Sequence, residues 1–157
     1  MGQNSYPQTK HWRLGQSGVY RQSFQAMTLA LVLLFSLASP LILWPIEILL
    51  PYPYIIEEMV KAFFALSLSQ NESSKKSLIF PFISGFLFTI SETMLYLLNF
   101  LKLGDFSNLF KRLIYTGLLH ISTTVLMYIG VKKGHFYFLT SFLFSVVIHY
   151  TFNFLIA

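Results

Sequence analysis

Residues 55–61 read Ile55-Ile56-Glu57-Glu58-Met59-Val60-Lys61, three ionic side chains in a stretch otherwise as apolar as a bilayer interior. An ionisable group inside a membrane costs about 2.5 kcal/mol or more even on the mildest insertion scales. Glu57 and Lys61 stand at i and i+4 in the favourable order, so they share a helix face and are expected to pair. Glu58 lies about 100° further round and has no expected partner within its own helix. Pro51 and Pro53 directly precede the motif, which also fits carboxylates merely solvated in the headgroup zone. The polar residues of the other apolar runs decide between these readings.

Those runs set the fold class. The chain of 157 residues is 55% hydrophobic and only 11% charged, and its apolar residues gather in runs of bilayer-spanning length, roughly 20 residues per helix. The alternating strands of about ten residues that mark a membrane β-barrel are missing. An all-α, polytopic transmembrane helical bundle of about five spans is expected, with lipid as its immediate surroundings. The net charge of +5 calls for no nucleic acid, because basic loops orient membrane proteins. With no cysteine in the chain, thiol chemistry and disulfides are excluded.

Residues 1–23 include Lys10, Arg13 and Arg21 and are expected to form a polar basic tail ahead of a transmembrane domain over 24–157. The first span, about 24–50, is expected to kink at Pro40 or Pro45, where backbone donors are lost. Ser36-Leu37-Ala38 resembles a signal-peptide cleavage site, but the apolar run continues past it, so the span is expected to be retained. The other spans are expected near 54–68, 78–101, 112–131 and 136–156, with Lys102–Lys111 as a loop. Basic residues Lys10, Arg13, Arg21, Lys75, Lys76, Lys132 and Lys133 fall on one side, against Lys102, Lys111 and Arg112 on the other. This bias implies a multi-pass protein with a cytoplasmic N-terminus.

Inside the spans stand Glu92, His120, and the pair His149 and Asn153, which share one helix face at i and i+4. His120, His149 and Asn153 each alone fit helix–helix hydrogen bonding, whereas Glu92 lies well inside an apolar run with no basic residue at i±4. Depth makes them one signal. With alternate threading, Glu57, Glu92, His120 and His149 fall in a band roughly 5–14 Å from one membrane boundary, at 1.5 Å per residue. Packing alone gives no reason for such a common level, so a functional site built from Glu57, Glu58, Glu92, His120, His149 and Asn153 is expected.

Glu57-Glu58-x-x-Lys61, Phe88-x-x-x-Glu92, His120 in the following span and His149-x-x-x-Asn153 resemble the motifs of PrsW-type intramembrane proteases. That family belongs with the type II CAAX prenyl proteases and the Abi group. The resemblance covers about residues 50–155 and implies an endopeptidase that hydrolyses a membrane-protein or membrane-bound peptide substrate near the outer leaflet. Lys61 and Glu92 stand where the CAAX branch has arginine and histidine, which favours the PrsW side.

Peptide hydrolysis needs an activated water, a stabilised oxyanion and a proton for the leaving amine. Glu57 or Glu58 can serve as base, His120 can orient water, and His149 with Asn153 can donate to the oxyanion. Two routes stand open, and of these the metal-assisted one is the expectation. A divalent metal, zinc by donor type, is held by Glu92, His120 and His149, or a glutamate activates water directly, as the resemblance to CAAX proteases implies. From another class comes a non-catalytic scaffold or chaperone-like subunit, the role of the gamma-secretase scaffold subunit that this superfamily resembles. A proton or ion carrier is a third reading, weakened by the lack of an inverted repeat.

Overall fold

The computed structural model describes residues 10–70, 78–103 and 106–156. They form α1 (Lys10–Glu47), α2 (Pro53–Gln70), α3 (Ile79–Leu103), α4 (Phe106–Lys133) and α5 (His135–Ile156), and no strand occurs among the described residues. Four stretches are long and apolar enough to cross a membrane: Tyr20–Glu47, Ile79–Leu97, Leu113–Lys133 and His135–Leu155. The chain is a helical membrane protein. The 18 residues of α2 reach about 27 Å, but three ionic side chains fall within them, which sets α2 apart from the four apolar stretches.

Two boundaries differ from expectation. Residues 10–23 of the polar segment ahead of Phe24 are helical and extend α1 rather than forming a separate tail, and residues 1–9 lie outside those described. The expected loop Lys102–Lys111 is helical at both ends, with α4 beginning at Phe106, and its residues 104–105 lie outside those described. Polar residues within reach of water do not stop a helix once both flanks have nucleated it. Neither Pro40 nor Pro45 ends α1, which stops two residues after the second.

Side-chain contacts fix how the helices run. The Ser36 hydroxyl donates to the Val32 carbonyl at 2.7 Å, so Ser84 of α3 is the donor in the 2.6 Å bond between the two serines. Near the other end of α1, Trp44 and Glu47 share a cavity with Leu95 and Tyr96 of α3, so these helices run parallel. Lys61 meets His120, and the Lys132 ammonium donates to the Ser69 carbonyl at 3.0 Å, so α2 and α4 are parallel too. The α3–α4 pair is antiparallel and closely packed through glycine. A Cβ added at Gly85 would lie 2.7 Å from Ile121 Cα and 2.8 Å from the His120 carbonyl oxygen. Small residues at such crossings let helix backbones approach in a membrane, and here the approach sets where α4 presents His120.

Among the described residues α2 packs against each of the other four helices, whereas α1 touches neither α4 nor α5. This central placement explains the sequence that looked so costly. Met59, Phe63 and Leu66 are exposed and spaced as one helix face, while Glu57, Glu58, Lys61, Ala62, Phe64, Ala65 and Leu68 are buried. A membrane helix with a lipid-facing apolar strip and an inward polar strip keeps its charges off the hydrocarbon. The apolar floor beneath the charges is built from Val32, Phe64, Leu68, Phe88, Met127 and Tyr128.

Candidate active site

Lys61 is the hub. It is 1% exposed, and its ammonium donates to Glu58 Oε1 at 2.6 Å and to His120 Nδ1 at 2.5 Å. An ammonium has donors only, so Nδ1 of His120 is the acceptor and the ring proton sits on Nε2. From there it is donated to Glu92 Oε2. The ring packs on Phe88 with centroids 4.9 Å apart, and the same phenyl face lies 5.1 Å from the Lys61 ammonium.

On the other side, Glu58 Oε1 also accepts from His149 Nδ1 at 2.7 Å. A histidine that donates from Nδ1 in its neutral form carries a lone pair on Nε2. That Nε2 lies 3.7 Å from Glu57 Oε2, an oxygen that is buried and has no hydrogen-bond partner among the described residues. Two acceptors pointed at one another repel unless a proton or a water stands between them. Glu92, His120, Lys61, Glu58, His149 and Glu57 thus form one chain of side chains drawn from α2, α3, α4 and α5. Within it the compact ion pair is Lys61 with Glu58, both essentially inaccessible.

The two ends of this chain meet again at a cavity of about 60 Å³ lined by Glu57, Glu92, Phe88, Leu95 and Tyr96, and by Pro40, Trp44 and Glu47 of α1. A water needs about 10–15 Å³ of accessible space, so the cavity has room for a few waters and is polar enough to be wet. Its inner wall is Glu57 and Phe88, 9% and 1% exposed; Trp44, at 53%, stands at its mouth.

Glu57, Glu58, Glu92, His120 and His149 are therefore brought together. Asn153 lies half-buried one turn beyond His149 and makes no hydrogen bond to them among the described residues. The expected Glu57–Lys61 pair is replaced by Glu58–Lys61. On an ideal helix Lys61 is about 40° from Glu57 and about 60° from Glu58, so spacing barely distinguishes them. His120, arriving from α4, draws the ammonium to the Glu58 side and leaves Glu57 facing the cavity.

Glu47 was not expected in the site, although the signal was present. Of the six acidic residues in the chain, four sit at the ends of or within apolar runs, and Glu47 is one of them. All four, Glu47, Glu57, Glu58 and Glu92, converge here. For a metal, Glu57, His120 and His149 each offer a ligand atom, all within 4.8 Å of one another. The expected set had Glu92 in place of Glu57, but Glu92 instead takes the proton of His120 Nε2. With Lys61 on Nδ1 and Glu92 on Nε2, both ring nitrogens of His120 are engaged.

No family model, curated protein or solved structure matches the chain, and the resemblance to PrsW-type proteases rests on its motifs alone.

Proposed function

We propose that the chain is an intramembrane endopeptidase that hydrolyses a peptide bond of a membrane-protein or membrane-bound substrate, with Glu57 as the water-activating base. One observation carries this reading. Two carboxylates, Glu57 and Glu92, line a cavity with room for a few waters and are joined behind it through His149, Glu58, Lys61 and His120. Water in the cavity, held by Glu57, attacks the carbonyl carbon as its proton passes to Glu57. The C–N bond of the tetrahedral adduct then breaks as a proton is delivered to the amine nitrogen, releasing a carboxylic acid and an amine. Two carboxylates on one cavity can divide these proton transfers between them, one accepting while the other donates. Lys61 and Glu58 touch no substrate in this scheme; they hold the two imidazoles in their tautomers.

A divalent ion held by Glu57, His120 and His149 would supply Lewis acidity to the same carbonyl. The hydrogen bonds favour the route without metal, because an ion at His120 must displace either Lys61 or Glu92. Purified protein in proteoliposomes is expected to cleave a reporter bearing a membrane-spanning substrate segment and to keep its rate after exhaustive chelation. Loss on chelation, with recovery on adding zinc, would overturn the metal-free route and leave the protease. If nothing is cleaved while the same residues govern assembly with a partner protein, the scaffold reading takes its place.

The basic-residue bias places the N-terminus on the cytoplasmic side and the cavity towards the outer leaflet. Cysteines introduced singly at Ser74 and Ser107 are expected to react with impermeant thiol reagents from opposite sides. Labelling of both from one side would reject this orientation.

A further inference from the structure

The cavity has a one-sided chemistry that hydrolysis does not require. Its polar lining includes three carboxylates, Glu47, Glu57 and Glu92, and its remaining lining is largely aromatic, with Trp44, Phe88 and Tyr96. Among the described residues no basic side chain lines it, and the nearby lysine, Lys61, is committed to Glu58 and His120. Glu57 is nine-tenths buried, yet no group among the described residues donates a hydrogen bond to its carboxylate. Glu47, half-buried at the mouth, likewise has no side-chain hydrogen bond or ion pair among the described residues.

Carboxylates beside aromatic faces recognise an organic cation: the carboxylate takes its N–H groups, and the ring faces attract its charge. An aliphatic or acidic side chain at the mouth would give Glu47 no donor. We infer that Glu47, Trp44 and Tyr96 form a subsite for the ammonium or guanidinium of a lysine or arginine side chain. On the protease reading, on which this substrate assignment rests, the peptide cut carries a basic residue close to the cleaved bond. The cation donates outward to Glu47 and inward, through cavity water, towards Glu57. A lipid amine fits less well, because its own phosphate, a few bonds away, would be brought against the Glu47 carboxylate.

The test uses binding as well as cleavage. The chain has two tryptophans, so a Trp12→Phe protein reports on Trp44 alone. In uncharged detergent, n-butylguanidinium is expected to change Trp44 emission saturably, while the neutral isostere n-butylurea does not. Glu47→Gln should weaken that binding by about tenfold or more, and Glu47→Asp should retain most of it, with monodispersity checked for each variant. Glycerophosphoethanolamine supplies the lipid arm, and binding as tight as that of butylguanidinium would overturn the assignment to a peptide side chain. An equal response to butylurea, or unchanged affinity in Glu47→Gln, would overturn the cation subsite itself. In cleavage, a reporter with lysine beside the bond should be cut about tenfold faster than one with methionine, and Glu47→Gln should erase the difference. Butylguanidinium binding without any cleavage would sink the protease reading and uphold the subsite. Cleavage indifferent to lysine, with no butylguanidinium binding, would do the reverse.

Discussion

Glu57→Gln is expected to lower the rate of substrate cleavage by about 10²-fold or more without loss of folded protein. The substitution keeps the size of a side chain that is 9% exposed. It removes the group that accepts water's proton. Glu57 is outside the Lys61–Glu58 pair, and its contact with His149 Nε2, at 3.7 Å, is longer than a hydrogen bond, so the amide leaves that pair in place. An amide can also donate to His149 Nε2, 3.7 Å from Glu57 Oε2 at present, so a small gain in stability would accompany the loss of rate. That opposite movement separates a catalytic from a structural role. His149→Ala is expected to lose a comparable rate, but with some stability, since it strips a hydrogen bond from the buried Glu58. The measurement is cleavage of a membrane reporter by purified variants of equal monodispersity. Parent-like rates for both would reject Glu57 as the base and the protease reading with it.

Lys61→Met is expected to cost about 3–5 kcal/mol of stability, the usual penalty for removing one member of a buried ion pair. Lys61 and Glu58 are 1% and 0% exposed, 2.6 Å apart, so water cannot take over the solvation of the remaining carboxylate. The loss should exceed that of the pair removed together. Glu58→Gln with Lys61→Met leaves no uncompensated charge, and such replacements are often close to neutral. Unfolding in mixed micelles, measured for both single variants and the double, gives the coupling directly. Additive losses would mean that the two side chains do not support each other, and the hub assigned to Lys61 would fall. Activity should fall with Lys61→Met as well, because His120 loses the donor that sets its tautomer.

These two variants divide the motif as the sequence did not. Periodicity places Lys61 on a face with either glutamate, and the i, i+4 rule favours Glu57. The choice is made by His120, a residue 59 positions away, which accepts from the same ammonium. Such a partner has no trace in local spacing. Glu47 escaped for a related reason: at the end of α1 it reads as an interfacial carboxylate, and only the parallel packing of α1 on α3 brings it beside Glu92.

What the sequence settled by itself was the class of the molecule and the level of its polar groups. Hydropathy is a local property, and a bilayer leaves a chain of this composition few options but helices, so the expected spans and the helices α1–α5 largely coincide. Alternate threading then puts Glu57, Glu92, His120 and His149 at one depth, because rise per residue is fixed. Depth is one coordinate. Azimuth, register and tautomer belong to the tertiary structure. Gly85 sets how near α4 comes to α3, the central position of α2 turns its carboxylates inward, and the Lys61 ammonium fixes which nitrogen of His120 bears the proton. Each depends on contacts between residues far apart in the chain, and these exist only once the helices have packed.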